Sequence, residues 1–160
     1  MSCCEVKIIE PDENGHGEIC VKGDNVMLGY YNNEQATKDA FDGEWFATGD
    51  IGYLDDDGFL YISGRKKNVI VLNSGKNVYP EELEFVLLNI PYIREALVYA
   101  EENILVAEVF LDTENEPGCA SRLAGDILEL NRKLPAFKNI GKTVLRDMEF
   151  PKTTTKKIKR

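Results

Sequence analysis

Gly64-Arg65-Lys66-Lys67 is a glycine followed by three cations with no apolar anchor, and it divides the chain into halves of different pattern. Before it, apolar residues come in short alternating runs between turn residues. After it, apolar residues recur at helical as well as strand spacing. Such a break reads as a domain boundary, so residues 1–64 and 65–160 are expected to fold as separate units.

In the first half, residues 5–9 and 18–22 alternate apolar and polar on either side of Asn14-Gly15-His16-Gly17. Residues 32–41 are polar, with Ala36 and Ala40 four apart, and predict a short helix at best. Residues 45–54 are extended, and Asp55-Asp56-Asp57-Gly58 turns the chain back into residues 59–63. In the second half, residues 68–72 predict a strand and Asn73-Ser74-Gly75-Lys76 a loop. Pro80 suits the first position of a helix, and Glu81 and Glu82 complement its positive end. Leu83, Val86, Leu87 and Ile90 form the buried stripe of that helix. Residues 94–101 and 104–112 flank Glu102-Asn103 as a hairpin. Ser121 predicts the N-cap of a second helix carrying Leu123, Ile127, Leu130 and Leu134. Residues 143–150 form a last strand, and residues 152–160 a polar, basic tail. The fold class is α+β: a small β-rich unit, then a small α+β unit with helices packed on a sheet.

The bulk composition narrows the function. With 160 residues and 43% apolar side chains, the chain can bury a core. A net charge of −9 argues against general nucleic-acid binding, which rests on displacing counterions with cationic side chains. Cys3, Cys4, Cys20 and Cys119 have no CxxC spacing and His16 is the sole histidine, so no metal site is expected and free thiols of a cytoplasmic protein are. No run approaches the roughly 20 apolar residues of a transmembrane helix, and the N-terminus carries no signal-peptide pattern.

Three segments carry chemistry. In Phe46-Ala47-Thr48-Gly49-Asp50, an ionised aspartate can accept from the paired hydroxyls of a ribose, and glycine lets a ligand approach the backbone. Alone, Thr48-Gly49-Asp50 reads as a surface turn. In Gly64-Arg65-Lys66-Lys67, the guanidinium fork can reach ribose and phosphate oxygens together; alone, the segment reads as a solvated basic turn. In Pro151-Lys152-Thr153-Thr154-Thr155-Lys156-Lys157-Ile158, a flexible ammonium can bridge two anions. Alone, that segment reads as a solvated tail or a localisation signal.

Together with Gly43-Glu44-Trp45-Phe46, Gly52-Tyr53-Leu54-Asp55 and the run Asn73 to Glu84, these segments resemble the nucleotide-handling motifs of adenylate-forming enzymes. That family includes acyl-CoA synthetases, peptide-synthetase adenylation domains and firefly luciferase. The resemblance implies that Asp50 binds the ribose hydroxyls of ATP and Arg65 the nucleotide. Lys67 would be the hinge, where many members have aspartate. Ser74, Gly75 and Lys76 would form the loop lining the tunnel for the pantetheine arm of CoA. Lys157 would be the catalytic lysine, counted from Pro151 in the signature Pro-Lys-Thr-x-x-Gly-Lys-Ile. Lys156 departs from that signature, standing at its glycine. Leu134-Pro135-Ala136-Phe137 resembles a motif that packs the lid.

By the same resemblance, residues 1–64 are the barrel-like end of a large N-terminal domain and residues 65–160 the C-terminal lid. The phosphate loop, the adenine-binding segment, the acid pocket and the glutamate that holds Mg2+ belong upstream. The chain is expected to be a C-terminal fragment of an ATP-dependent fatty acyl-CoA synthetase, inactive alone. The reaction implied is carboxylate plus ATP to acyl-AMP and pyrophosphate, then CoA to acyl-CoA and AMP. The pattern over residues 58–67 resembles the long-chain branch. Fatty acid, ATP and CoA are the partners implied, and peripheral membrane contact by the parent is left open. The alternative is a stand-alone interaction module that engages CoA, an acyl carrier protein or a partner ligase domain in trans.

Overall fold

A computed structural model describes residues 4–160. They form two compact units that divide between Asn68 and Val69. The division falls beyond Gly64 because Gly64 and Arg65 complete a strand, paired with Ile51 and Asp50, and a 3₁₀ turn over Lys66–Asn68 follows it.

In the first unit, β1 (Cys4–Ile9) and β2 (Gly17–Gly23) form an antiparallel hairpin. The turn is fixed by Asp12, whose Oδ1 accepts the N–H groups of Asn14 and His16. Helix α1 (Glu34–Ala40) is a single capped segment in which Asn33 Oδ1 accepts the Ala36 N–H at 3.0 Å. Then come β3 (Phe41–Asp42), β4 (Trp45–Leu54) and β5 (Leu60–Arg65). The sheet runs β1-β2-β4-β3, with β5 also paired to β4. The β4–β5 turn repeats the Asx device: Asp55 Oδ1 accepts the N–H groups of Asp57 and Phe59. Ile19, Cys20 and Ile51 are buried, and burial pushes the Cys20 thiol pKa up. Gly52 is dictated by contact, since a Cβ there would lie 2.2 Å from the Tyr61 carbonyl oxygen.

The second unit opens with a ribbon of β6 (Ile70–Val71) and β7 (Asn77–Val78). Only two residues of the expected strand over 68–72 are strand, because the chain turns at once through residues 72–76. Helix α2 (Pro80–Leu88) has proline at its start and buries Leu83 and Leu87. Ile90 lies beyond its end but still packs against the core. Strands β8 (Ile93–Glu101) and β9 (Ile104–Leu111) form the expected hairpin, with Glu102 and Asn103 at φ 48° and 65°. That pair of left-handed residues makes a turn whose twist matches the strands.

Helix α3 (Cys119–Lys133) starts earlier than Ser121 predicts. Gly118, at φ 77°, redirects the chain, and the fully buried Cys119 opens the apolar stripe that continues through Leu123 and Ile127. Ser121 therefore sits inside the first turn and caps nothing. The last strand, β10 (Ile140–Arg146), lies parallel to β9 and ends short of Phe150. Leu105, Ala107, Val109 and Leu111 alternate along one face of β9 and share a core cluster with Leu83, Leu87, Leu123 and Ile127. Both helices thus cover one face of a three-stranded sheet. Each fully buried leucine there contributes roughly 2 kcal/mol.

Candidate functional site

Asp50 is carried by an irregularity in the sheet. Ala47 pairs with Cys20 and Ile51 with Glu18, so β4 takes four steps where β2 takes two. The surplus lies in Thr48-Gly49-Asp50, and bulges of this kind re-aim side chains. Thr48 holds the bulge together: its Oγ1 donates to the Ile19 carbonyl at 2.8 Å and accepts the Asp50 N–H at 3.1 Å. Gly49 adopts φ 70° and has open space where a Cβ would stand. On the other edge of β4, Asp50 is paired with Arg65, whose Nε donates to Asp50 Oδ1 at 2.9 Å. The two side chains stay 29% and 49% exposed, so the pair is worth about 1 kcal/mol at most and leaves donor and acceptor atoms for a ligand.

The other cations of the break differ in kind. Lys66 Nζ donates to Glu18 Oε2 at 2.6 Å, and that carboxylate is almost buried. The hydrogen bond to Glu18 holds the Lys66 pKa up. Lys67 is exposed on the 3₁₀ turn and makes no ion pair among the described residues. Nearby, Ser63 is buried and its hydroxyl lies 2.6 Å from His16 Nδ1.

Ser74, Gly75 and Lys76 belong to the second unit and form the tight turn between β6 and β7. Leu72 N–H donates to the Lys76 carbonyl at 3.0 Å and Gly75 N–H to the Leu72 carbonyl at 2.8 Å. Gly75, at φ 77°, is the residue that permits this turn. The loop is also held from outside: Asn73 N–H donates to Asn103 Oδ1 at 2.7 Å. Ser74 and Asn103 line an open pocket with Leu72 and Phe137.

Lys157 sits on a closed turn. Thr153 N–H donates to the Lys157 carbonyl at 2.8 Å, Lys156 N–H to the Thr153 carbonyl at 2.9 Å, and Lys157 N–H to Thr153 Oγ1 at 3.2 Å. An antiparallel bridge pairs Lys152 with Ile158. Lys156 takes φ 60°, a left-handed conformation that glycine adopts without strain. The residue that departs from the signature therefore keeps the backbone shape which the signature glycine suits.

The turn is anchored at both ends. On one side, Lys152 pairs with Glu95 and with Glu149, Phe150 N–H donates to Glu95 Oε2 at 2.8 Å, and the Phe150 ring is buried. On the other, Arg160 Nη2 reaches both oxygens of Glu84, at 2.8 and 2.7 Å. Burial holds the Glu84 pKa up, against the pull of the Val98 N–H and the Arg160 charge. The Lys157 side chain is exposed and forms no ion pair among the described residues. Sequence reasoning missed the contacts of Glu84, Glu95, Asn103 and Arg160; their partners are distant in sequence and no local pattern links them.

Of the expected site residues, Asp50 and Arg65 are brought together on one ladder. Lys67 stands beside the division between units, and Ser74, Gly75, Lys76 and Lys157 belong to the second unit. Among the described residues, no group of three or more His, Cys, Asp or Glu could hold a metal ion. Among the described residues, no helix is long and apolar enough to cross a membrane.

No protein-family model matches the chain. The 2-succinylbenzoate–CoA ligase of Bacillus licheniformis is 47% identical over 119 residues, which cover 68% of this chain and 25% of the relative. Long-chain-fatty-acid–CoA ligase FadD13 of Mycobacterium tuberculosis is 48% identical over 86 residues, 54% of this chain and 17% of the relative. Among solved structures, the o-succinylbenzoate CoA synthetase (MenE) of Bacillus subtilis, in complex with the acyl-adenylate intermediate OSB-AMP, matches with a TM-score of 0.82 and 37% identity. That match covers 99% of this chain and 33% of the synthetase. The chain thus spans a third or less of the relatives it matches. In sequence and in fold, it belongs to the adenylate-forming CoA ligases and corresponds to their C-terminal portion.

Proposed function

We infer that this chain supplies the ribose-holding strand end and the lid of an ATP-dependent ligase that joins a carboxylic acid to CoA through an acyl-adenylate. Asp50 accepts from the ribose hydroxyls, and Arg65, steadied by Asp50, donates to the nucleotide. Lys157 neutralises the carboxylate and the α-phosphate as they approach, which stabilises the charge that builds on the phosphoryl oxygens. Ser74, Gly75 and Lys76 present backbone to the pantetheine arm of CoA, and Lys67 is the hinge. The observation that best supports this reading is the closed turn under Lys157, because Thr153 then has a structural reason to stand at its motif position and Lys156 takes the backbone shape that the signature glycine suits.

Magnesium accompanies ATP in one solved structure of the Bacillus subtilis synthetase. Among the described residues, no group of three or more His, Cys, Asp or Glu could hold it. For the acid, the pattern over residues 58–67 and the likeness to FadD13 favour a long-chain fatty acid. The likeness to 2-succinylbenzoate ligases, which extends over more of the chain, favours an aromatic acid. Comparing pyrophosphate release with palmitate and with 2-succinylbenzoate, in the ligase that carries this chain, separates the two.

The function itself is tested in a chimera in which this chain replaces its counterpart in the Bacillus subtilis synthetase. Lys157→Ala should lower acyl-adenylate formation at least about a hundredfold, the loss of roughly 3 kcal/mol of charge stabilisation. It should spare thioester formation from supplied acyl-adenylate. Equal loss of both steps would show that Lys157 has another role. The chain alone should release no pyrophosphate from ATP and an acid, since it spans a third or less of its relatives.

A further inference from the structure

The Lys157 turn lies between two anchors of different construction. The leading anchor is a lysine shared between two carboxylates, backed by the buried Phe150 ring. The trailing anchor is a guanidinium fork, and it lies only three residues beyond Lys157.

That fork grips two elements at once. Arg160 Nη2 donates to Glu84 Oε1 and Oε2 on α2, and Nη1 donates to the Val98 carbonyl on β8 at 3.3 Å. Glu81, one turn earlier on α2, adds a carboxylate oxygen at 3.3 Å. Glu84 is itself fixed, since its Oε1 accepts the Val98 N–H at 2.8 Å. The side chains of Arg160 and Glu84 are 29% and 15% exposed. This is a planar, multiply bonded contact in a partly dry seat, unlike exposed pairs such as Lys22–Glu44.

We propose that Arg160, seated on Glu84, is a positioning residue for Lys157. This rests on the role assigned to Lys157 above. A lysine side chain is long and carries about 2 kcal/mol of rotamer entropy, so its aim depends on how well its backbone is held. Ile158 and Lys159 are all that separate Lys157 from the clamp. Lys159 N–H also donates to the Pro151 carbonyl at 2.9 Å, which ties the trailing strand of the turn to the leading one. With both ends fixed, only the Lys157 side chain is left to search for its anions. Releasing Arg160 frees the trailing strand and spreads the ammonium over positions where it cannot bridge carboxylate and phosphate. Misplacement by about 1 Å costs up to about a hundredfold in rate.

The test uses the chimera described above. Arg160→Ala should slow acyl-adenylate formation about tenfold or more, through kcat rather than the KM for ATP. Thioester formation from supplied acyl-adenylate should stay within about twofold of the unsubstituted chimera. Arg160→Lys, which keeps the charge and loses the fork, should recover only part of the rate. Unchanged adenylation in Arg160→Ala, beside an inactive Lys157→Ala, overturns the clamp and leaves the role of Lys157 standing. Retained adenylation in Lys157→Ala overturns that role and the purpose of the clamp with it. A measurement on the chain itself decides the matter where a chimera does not fold. The nitrogen-15 order parameter of the Lys157 amide should fall below about 0.6 in Arg160→Ala, with the amides of β8 and β9 unchanged. An unchanged value overturns the proposal.

Discussion

Lys156 is the residue at which the local chemistry and the motif pull in different directions. A lysine at φ 60° carries a steric cost that glycine does not, of about 1–2 kcal/mol, partly offset by the greater freedom of glycine in the open chain. Lys156→Gly should therefore tighten the turn by about 0.5–1 kcal/mol, slowing hydrogen exchange at the Lys157 amide roughly two- to fivefold. Faster exchange would mean that the Lys156 side chain holds the turn in some way its backbone does not require. At this scale the sequence was most readable where a short motif fixes its own geometry. Thr153 could be counted into place from Pro151, and its hydroxyl does take the Lys157 N–H. Arg160 could not be, because its partner Glu84 lies 76 residues away and only the fold brings them together.

The elements show the same division between local and long-range information. Hairpins were legible because Asp12, Asp55 and the Glu102-Asn103 pair write the turn into the adjacent residues. The bulge at Thr48-Gly49-Asp50 was not, since a shift of register is a property of two strands and neither sequence alone contains it. The start of α3 differs from the sequence pattern for a related reason: Ser121 is a good cap by composition, but the burial of Cys119 decides where the helix begins. Asn103 does two jobs in one element, adopting the left-handed turn and accepting the Asn73 N–H. Asn103→Gly separates them, because glycine keeps the turn and removes the acceptor. The β8–β9 hairpin should stay intact while the Asn73 amide exchanges about five- to tenfold faster, the loss of a hydrogen bond worth about 1 kcal/mol. Asn103→Asp should preserve the protection. Equal exchange in all three chains would show that the β6–β7 loop needs no external support.

At the scale of the whole molecule, the division between Asn68 and Val69 supports the reading of Lys67 as a hinge. Lys67→Pro fixes one φ near −65° in that stretch. In the chimera it should slow one half-reaction at least about tenfold and leave the other nearly untouched, as expected if each step needs its own setting of the joint. Similar rates for both steps would remove Lys67 from that role. The joint itself has an unexpected economy. Arg65 is locked in the β5 ladder, Ile70 enters β6, and Lys66 is stapled to the nearly buried Glu18. What lies between is Lys67, Asn68 and Val69, and three residues offer six soft dihedrals. If Lys67 is the hinge proposed above, the Glu18–Lys66 contact acts as a collar on a torsional bearing. It would keep a swivel from leaking back into the strand that carries Arg65, so the proposed nucleotide-holding pair could stay still while the lid turns.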